Sequence, residues 1–172
     1  MNGQQHTSLC GINTMVALVI FDCDMTLWSD EVSTLRSPLR RIDDDSLEDA
    51  DGKRLTLTFG ARSILLELNR RGIICSIASW NEPEFVREAL AVFGISGFFT
   101  EPVVEYHQDK DRMVREVIRR LRIRNVNIPS SEVMVIDDNP DMLEKISKAF
   151  PDIRCVQYGK DIVEMKDVLG II

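Results

Sequence analysis

Asp22 and Asp24 close an apolar run, "VALVIF" at 16–21, with only Cys23 between them. A carboxylate buried without a partner costs several kcal/mol or takes up a proton, so a pair at the end of a buried strand needs a counter-ion. Other residues of matching chemistry stand at similar places. Ser79 and Asn81 follow "IICSIA", Lys110 opens a helical pattern, and Asp137 and Asp138 follow "VMVI". Four carboxylates in one crevice repel one another unless a cation sits among them. Oxygen donors without His or Cys suit a hard ion, and Mg²⁺ takes a few carboxylates together with water and substrate phosphate. A lysine and a hydroxyl-amide pair opposite the ion would hold a phosphate dianion. Phosphoryl chemistry follows. Asp22, ionised at neutral pH, is the candidate nucleophile. Asp24, two residues on along extended backbone, projects to the same side and can give and take a proton. Lys110 and the metal would stabilise charge on the transferring oxygens.

These residues converge only if the strands run parallel. The runs 16–21, 73–78 and 133–136 have the length and continuous apolarity of strands buried on both faces, with 103–104 and 153–156 as shorter versions. Between them lie helical patterns. Ala61, Ile64, Leu65 and Leu68 end before Gly72; Phe85, Val86, Ala89, Leu90 and Phe93 begin after Pro83 and end at Gly94. Met113, Val114, Val117, Ile118 and Leu121 form a third stripe, and Leu143, Ile146 and Phe150 a fourth opening at "NPD". Strand–helix alternation predicts an α/β fold, a Rossmann-like parallel sheet sandwiched between helices, whose carboxyl edges meet at one crevice.

One stretch, residues 29–59, breaks the alternation. Its acidic "IDDDSLEDADGK" precedes Leu55, Leu57 and Phe59 spaced by threonines, and Asp51–Gly52 has the chemistry of a hairpin turn. A small β-hairpin flap over the site is the expectation, with the acidic run a solvated surface. Residues 1–14 are polar and without period, which predicts a flexible tail, His6 included; translation could begin at Met1 or at Met15. Residues 15–172 are then one domain with no second domain and no internal repeat.

Composition narrows the partners. A chain of 172 residues, 44% hydrophobic and 6% aromatic, suits one α/β domain. Its net charge of −7 disfavours nucleic acid and anionic lipid. No apolar stretch is long enough to span a membrane and no signal peptide is evident. Four cysteines without CxxC spacing fit a reducing cytoplasm. None is followed six positions on by the arginine that a cysteine phosphatase needs, so the cysteines read as packing. The arginines at 112, 115, 119, 120, 122 and 124 read as a solvated strip, and His107 as support for a loop.

"DCDMT" resembles the DxDxT signature of the haloacid dehalogenase superfamily, and "SWN", the lysine of "HQDKD" and "DDNPD" resemble its later motifs in order. The likeness covers residues 16–172. More narrowly, "FDCDMTLW", the hairpin insert and the lack of a large cap resemble the magnesium-dependent phosphatase-1 group. That resemblance implies a Mg²⁺-dependent phosphatase acting on phosphotyrosine or sugar-phosphate substrates. It makes Asp22 the phospho-acceptor and a metal ligand. Asp24 becomes the acid/base, binding metal through its main-chain carbonyl, and Asp138 a direct ligand with Asp137 in support. Ser79 and Lys110 hold phosphate, bordered by the backbone of Cys23 and Trp80. Two positions depart from the pattern. Met142 stands where an Asn or Asp is common, with Asp141 one residue short as a substitute through water, and Trp80 is large for its place. The substrate is a small phosphorylated metabolite or a phosphoprotein, and the molecule a monomer or weak homodimer. Two other classes fit some of the residues. "DxDxTLW" and "IDDNP" also resemble glyceryl-transfer domains acting with an acyl carrier protein, and a phosphate-binding module without turnover would need the same crevice.

Overall fold

The structure, a computed structural model, describes residues 15–30 and 35–172. The expected tail at 1–14, with His6 and Cys10, lies outside the described residues, as do residues 31–34 of the flap.

The central sheet is built from β1 (Leu18–Phe21), β5 (Ile74–Trp80), β6 (Val103–Glu105), β7 (Val133–Asp137) and β8 (Arg154–Gln157), in the order β6-β5-β1-β7-β8. All four pairings are parallel, and Phe21 lies level with Ile77 on one side and Ile136 on the other. Every side chain of β1 is buried, which is why its sequence is continuously apolar. The pleat still sorts them. Val19 and Phe21 join the core under α1 (Ala61–Arg70) and α2 (Pro83–Phe93); Leu18 and Ile20 join the core under α3 (Lys110–Ile123) and α4 (Pro140–Ala149). From β1 the chain builds outward to β5 and β6, then crosses back to β7 and β8. Strand direction around β1 therefore opens a crevice at its carboxyl end.

The helix boundaries follow local chemistry. Gly72 and Gly94 take left-handed backbone just past α1 and α2, where their N–H groups close onto the last carbonyls. Pro83 and Pro140 occupy the first turns of α2 and α4. The arginine strip of α3 satisfies itself: Arg119 and Arg120 pair with Glu116, Arg124 with Glu101, and Arg115 lies over the Phe150 ring.

The insert is a three-stranded antiparallel sheet of β2 (Arg40–Arg41), β3 (Ser46–Glu48) and β4 (Arg54–Thr56), not a single hairpin. The turn at Asp51–Gly52 joins β3 to β4, with Gly52 left-handed and the Asp49 carboxylate accepting the N–H groups of Arg36, Asp51 and Lys53. Leu47, Leu55 and Leu57 are buried as the alternation predicts, but Phe59 is 85% exposed because the strand has ended and Gly60 turns the chain into α1. The flap packs toward α1 and α2. Glu88 of α2 accepts the Leu39 N–H, and the Arg62 guanidinium ties Asp45 to the Phe93 carbonyl at the end of α2. Its apolar face thus completes the core rather than covering the strand tips. Truncating Leu55 to Ala should cost about 2–5 kcal/mol, as for a fully buried leucine, read as a lower urea midpoint. A loss near zero would mean that the flap folds apart from the body.

Candidate functional site

The carboxyl ends of β1, β5 and β7 and the start of α3 surround a crevice of about 630 Å³. Lys110 is its anchor. As the first residue of α3 it lies on the same stripe as Met113, Val114, Val117 and Leu121, so helix packing carries it inward to 3% exposure. Its Nζ donates to an Asp22 carboxylate oxygen at 2.6 Å and to the Ala78 carbonyl at 2.8 Å, and stands 3.0 Å from Asp137 Oδ2. Burial alone disfavours the ammonium, but Asp22 and Asp137 outweigh it and hold the amine above its ordinary range.

Asp22, Asp137 and Asp138 each present a carboxylate oxygen within 4.8 Å of the others. One ammonium does not balance three carboxylates. Burial pushes the Asp137 carboxyl up to about 6, with Lys110 pulling it down and Asp22 pushing it further up. Its Oδ2, though close to Lys110, has no aligned hydrogen bond. An all-oxygen, net negative group with an unfilled acceptor direction fits a hard divalent cation. Asp141 is exposed and lies outside the group, its N–H donating to the Asn139 side chain that caps α4. Met142 lines the crevice in the place where an oxygen ligand was looked for.

Asp24 faces the crevice from the next turn, its carboxylate held at both oxygens. Trp28 Nε1 donates to Oδ1 at 2.7 Å and Asn81 Nδ2 to Oδ2 at 3.0 Å. Trp28 is fully buried and stacks on Phe93, so the donor is fixed by the core. The tight turn that brings Trp28 back to Asp24 is built on the Cys23 carbonyl, which accepts the N–H groups of Thr26, Leu27 and Trp28, with Met25 in left-handed backbone. In sequence the Trp28–Asp24 hydrogen bond is signalled only by the four-residue spacing, the reach of one turn. Asn81 precedes Glu82, the boundary residue of α2, and its side-chain oxygen accepts the Glu82 N–H.

Ser79 is buried and Trp80 is 48% exposed, both at the end of β5 and both lining the crevice. Cys23 is fully buried and not among the lining residues. Burial first and Asp22 second push its thiol well above the ordinary value, which disfavours a thiolate. None of the described residues of 29–59 lines the crevice; residues 31–34 of the expected flap lie outside the described residues.

A family model for acid phosphatases matches residues 14–156. The chain belongs to the acid phosphatase family. The fold is that of haloacid dehalogenase superfamily hydrolases. A hydrolase of that superfamily from Ehrlichia chaffeensis aligns over 91% of this chain and 96% of its own, at 16% identity and a TM-score of 0.66. The N-terminal part of a Bacteroides fragilis protein, containing a phosphatase domain complexed with Mg, aligns over 92% of this chain at 17% identity and a TM-score of 0.62; this chain spans 39% of it. CbbY from Rhodobacter sphaeroides, in complex with phosphate, aligns over 83% of this chain and 86% of its own, at 16% identity and a TM-score of 0.56. No curated protein matches the sequence. Among the described residues no helix is long and apolar enough to cross a membrane.

A carboxyl whose pKa is raised on folding binds its proton more tightly in the folded state. Its contribution to stability therefore falls as pH rises from the ordinary 3.8 to about 6. In metal-free buffer the melting temperature of the wild type, relative to Asp137→Asn, should decline through that window and level off above it. A difference independent of pH would contradict the crowded, buried carboxylates.

Proposed function

We propose that the chain is a Mg²⁺-dependent phosphatase of the magnesium-dependent phosphatase-1 type, hydrolysing phosphate monoesters through an aspartyl-phosphate on Asp22. The carrying observation is Lys110, a buried ammonium touching Asp22 and leaving two further carboxylates beside it. Asp22, Asp137 and Asp138, with the Asp24 main-chain carbonyl, would hold Mg²⁺, which when bound supplies positive charge to the phosphoryl oxygens. Lys110 supplies the opposing fixed charge and orients Asp22 for attack on phosphorus, expelling the leaving oxygen. Asp24 protonates that oxygen and then takes a proton from the water that cleaves the acyl phosphate. Ser79, with the backbone at Cys23 and Trp80, borders the phosphate.

Substrates are phosphotyrosine-type or sugar-phosphate-type monoesters, on a small metabolite or a phosphoprotein. The uncovered crevice admits either. The free cysteines at 23, 75 and 155 accord with a reducing cytoplasm, and the molecule is taken as a monomer or weak homodimer.

Wild-type protein should release phosphate from para-nitrophenyl phosphate with added Mg²⁺ and stop on chelation, and Asp22→Asn should lose at least about a thousandfold in kcat. Activity in Asp22→Asn near that of the wild type would remove the nucleophile. Trp28→Phe keeps an aromatic side chain, smaller by the pyrrole ring, and deletes the donor to Asp24. Its kcat should fall roughly 10- to 100-fold with little change in KM, since Asp24 acts in the transition state. A change confined to KM would show that Trp28 serves only to shape the crevice.

A further inference from the structure

Three large side chains that stand exposed, Met25 at 47%, Trp80 at 48% and Tyr106 at 68%, all line this crevice. A soluble surface scatters such groups, and their gathering around a polar floor marks a contact for something other than water. Glu82 stands among them, near enough that, after burial, its negative charge helps push the Tyr106 phenol above its ordinary range. Charge is equally one-sided. Among the described residues the only basic side chain lining the crevice is Lys110, and it is engaged at the floor by Asp22 and Asp137. Among the described residues every other charged side chain lining the crevice is acidic.

We propose that Trp80, Tyr106 and Glu82 form a selectivity rim for phosphate monoesters whose leaving group carries a cationic centre. The proposal rests on the monoester phosphatase reading above and says what that site prefers. A cation over an indole or phenol face is attracted by the ring quadrupole, and the Glu82 carboxylate adds a direct Coulomb term of the same sign. An anionic leaving group meets Glu82 and a molecule of net charge −7. A neutral polyhydroxyl group gains neither the ring-quadrupole attraction nor the Coulomb attraction of Glu82. The rim thus separates the two halves of a substrate by sign: dianionic phosphate at the floor, positive charge at the mouth.

The test uses matched pairs of the full-length protein's substrates. In one pair, phosphotyrosine peptides of equal length carry arginine or glutamate flanks; in the other, choline phosphate is set against glycerol phosphate. Turnover is read as kcat/KM with Mg²⁺. Binding to Asp22→Asn is read by intrinsic fluorescence, because Trp80 is exposed whereas Trp28, the second of two tryptophans, is fully buried. The cationic member of each pair should be favoured by about 3- to 30-fold at low salt, less at high salt. Trp80→Ala and Glu82→Gln should each shrink the ratio, whatever they do to the absolute rate. Equal or reversed preference in the wild type, or a ratio that neither substitution changes, overturns the rim. A preference confined to the peptides assigns the rim to protein substrates, and one confined to choline phosphate to small molecules. Ordered binding without turnover of any substrate would keep the rim and remove the hydrolase; turnover without order would remove the rim alone.

Discussion

A buried ammonium is the constraint on which the site depends. Lys110 can be almost fully buried only because Asp22, Asp137 and the Ala78 carbonyl receive its charge and its hydrogen bonds. The converse is also true, since those carboxylates tolerate burial because Lys110 is there. Removing one partner from a buried pair costs about 3–5 kcal/mol, so the strand tips of β1 and β7 and the first turn of α3 are fixed relative to one another. The balance is deliberately incomplete. Three carboxylates against one ammonium leave a net negative charge that a divalent cation would neutralise, so that the ion and Lys110 can face a phosphate with the carboxylates already balanced.

The second polar arrangement joins the site to the flap. Asp24 is aimed by Trp28 and Asn81, and Trp28 is held by Phe93 at the end of α2, the residue whose carbonyl also accepts Arg62. The insert therefore braces from behind the core that holds Asp24, and none of its described residues lines the crevice.

The sheet and its helices were legible because burial imposes period. Strands covered on both faces must be apolar throughout, and helices covered on one must carry stripes; β1, β5, β7 and all four helices follow those rules. Lys110 was legible too, from its place one turn ahead of Met113 and Val114 on the buried stripe, a stronger signal than mere proximity to a helix start. The flap illustrates what pattern does not carry. Alternation at Leu55 and Leu57 says that one face is covered but not by what, and the strand ended before Phe59 because Gly60 turns the chain. The hydrogen bond from Trp28 to Asp24 was not legible, because a buried aromatic looks the same in sequence whether or not its N–H has a task. The rim residues Tyr106 and Glu82 come from separate elements, and nothing in their local sequence announces that they meet.

The most direct measurement is chemical trapping of the intermediate. Protein mixed with Mg²⁺ and a phosphate monoester is quenched in acid, reduced with borohydride, and its peptides sequenced by mass spectrometry. The expected product is homoserine at position 22 alone, more abundant in Asp24→Asn, where cleavage of the acyl phosphate is slowed. Turnover with no modified residue at any quench time, or modification at another carboxylate such as Asp137, would contradict the assignment of Asp22 as the phosphoryl acceptor.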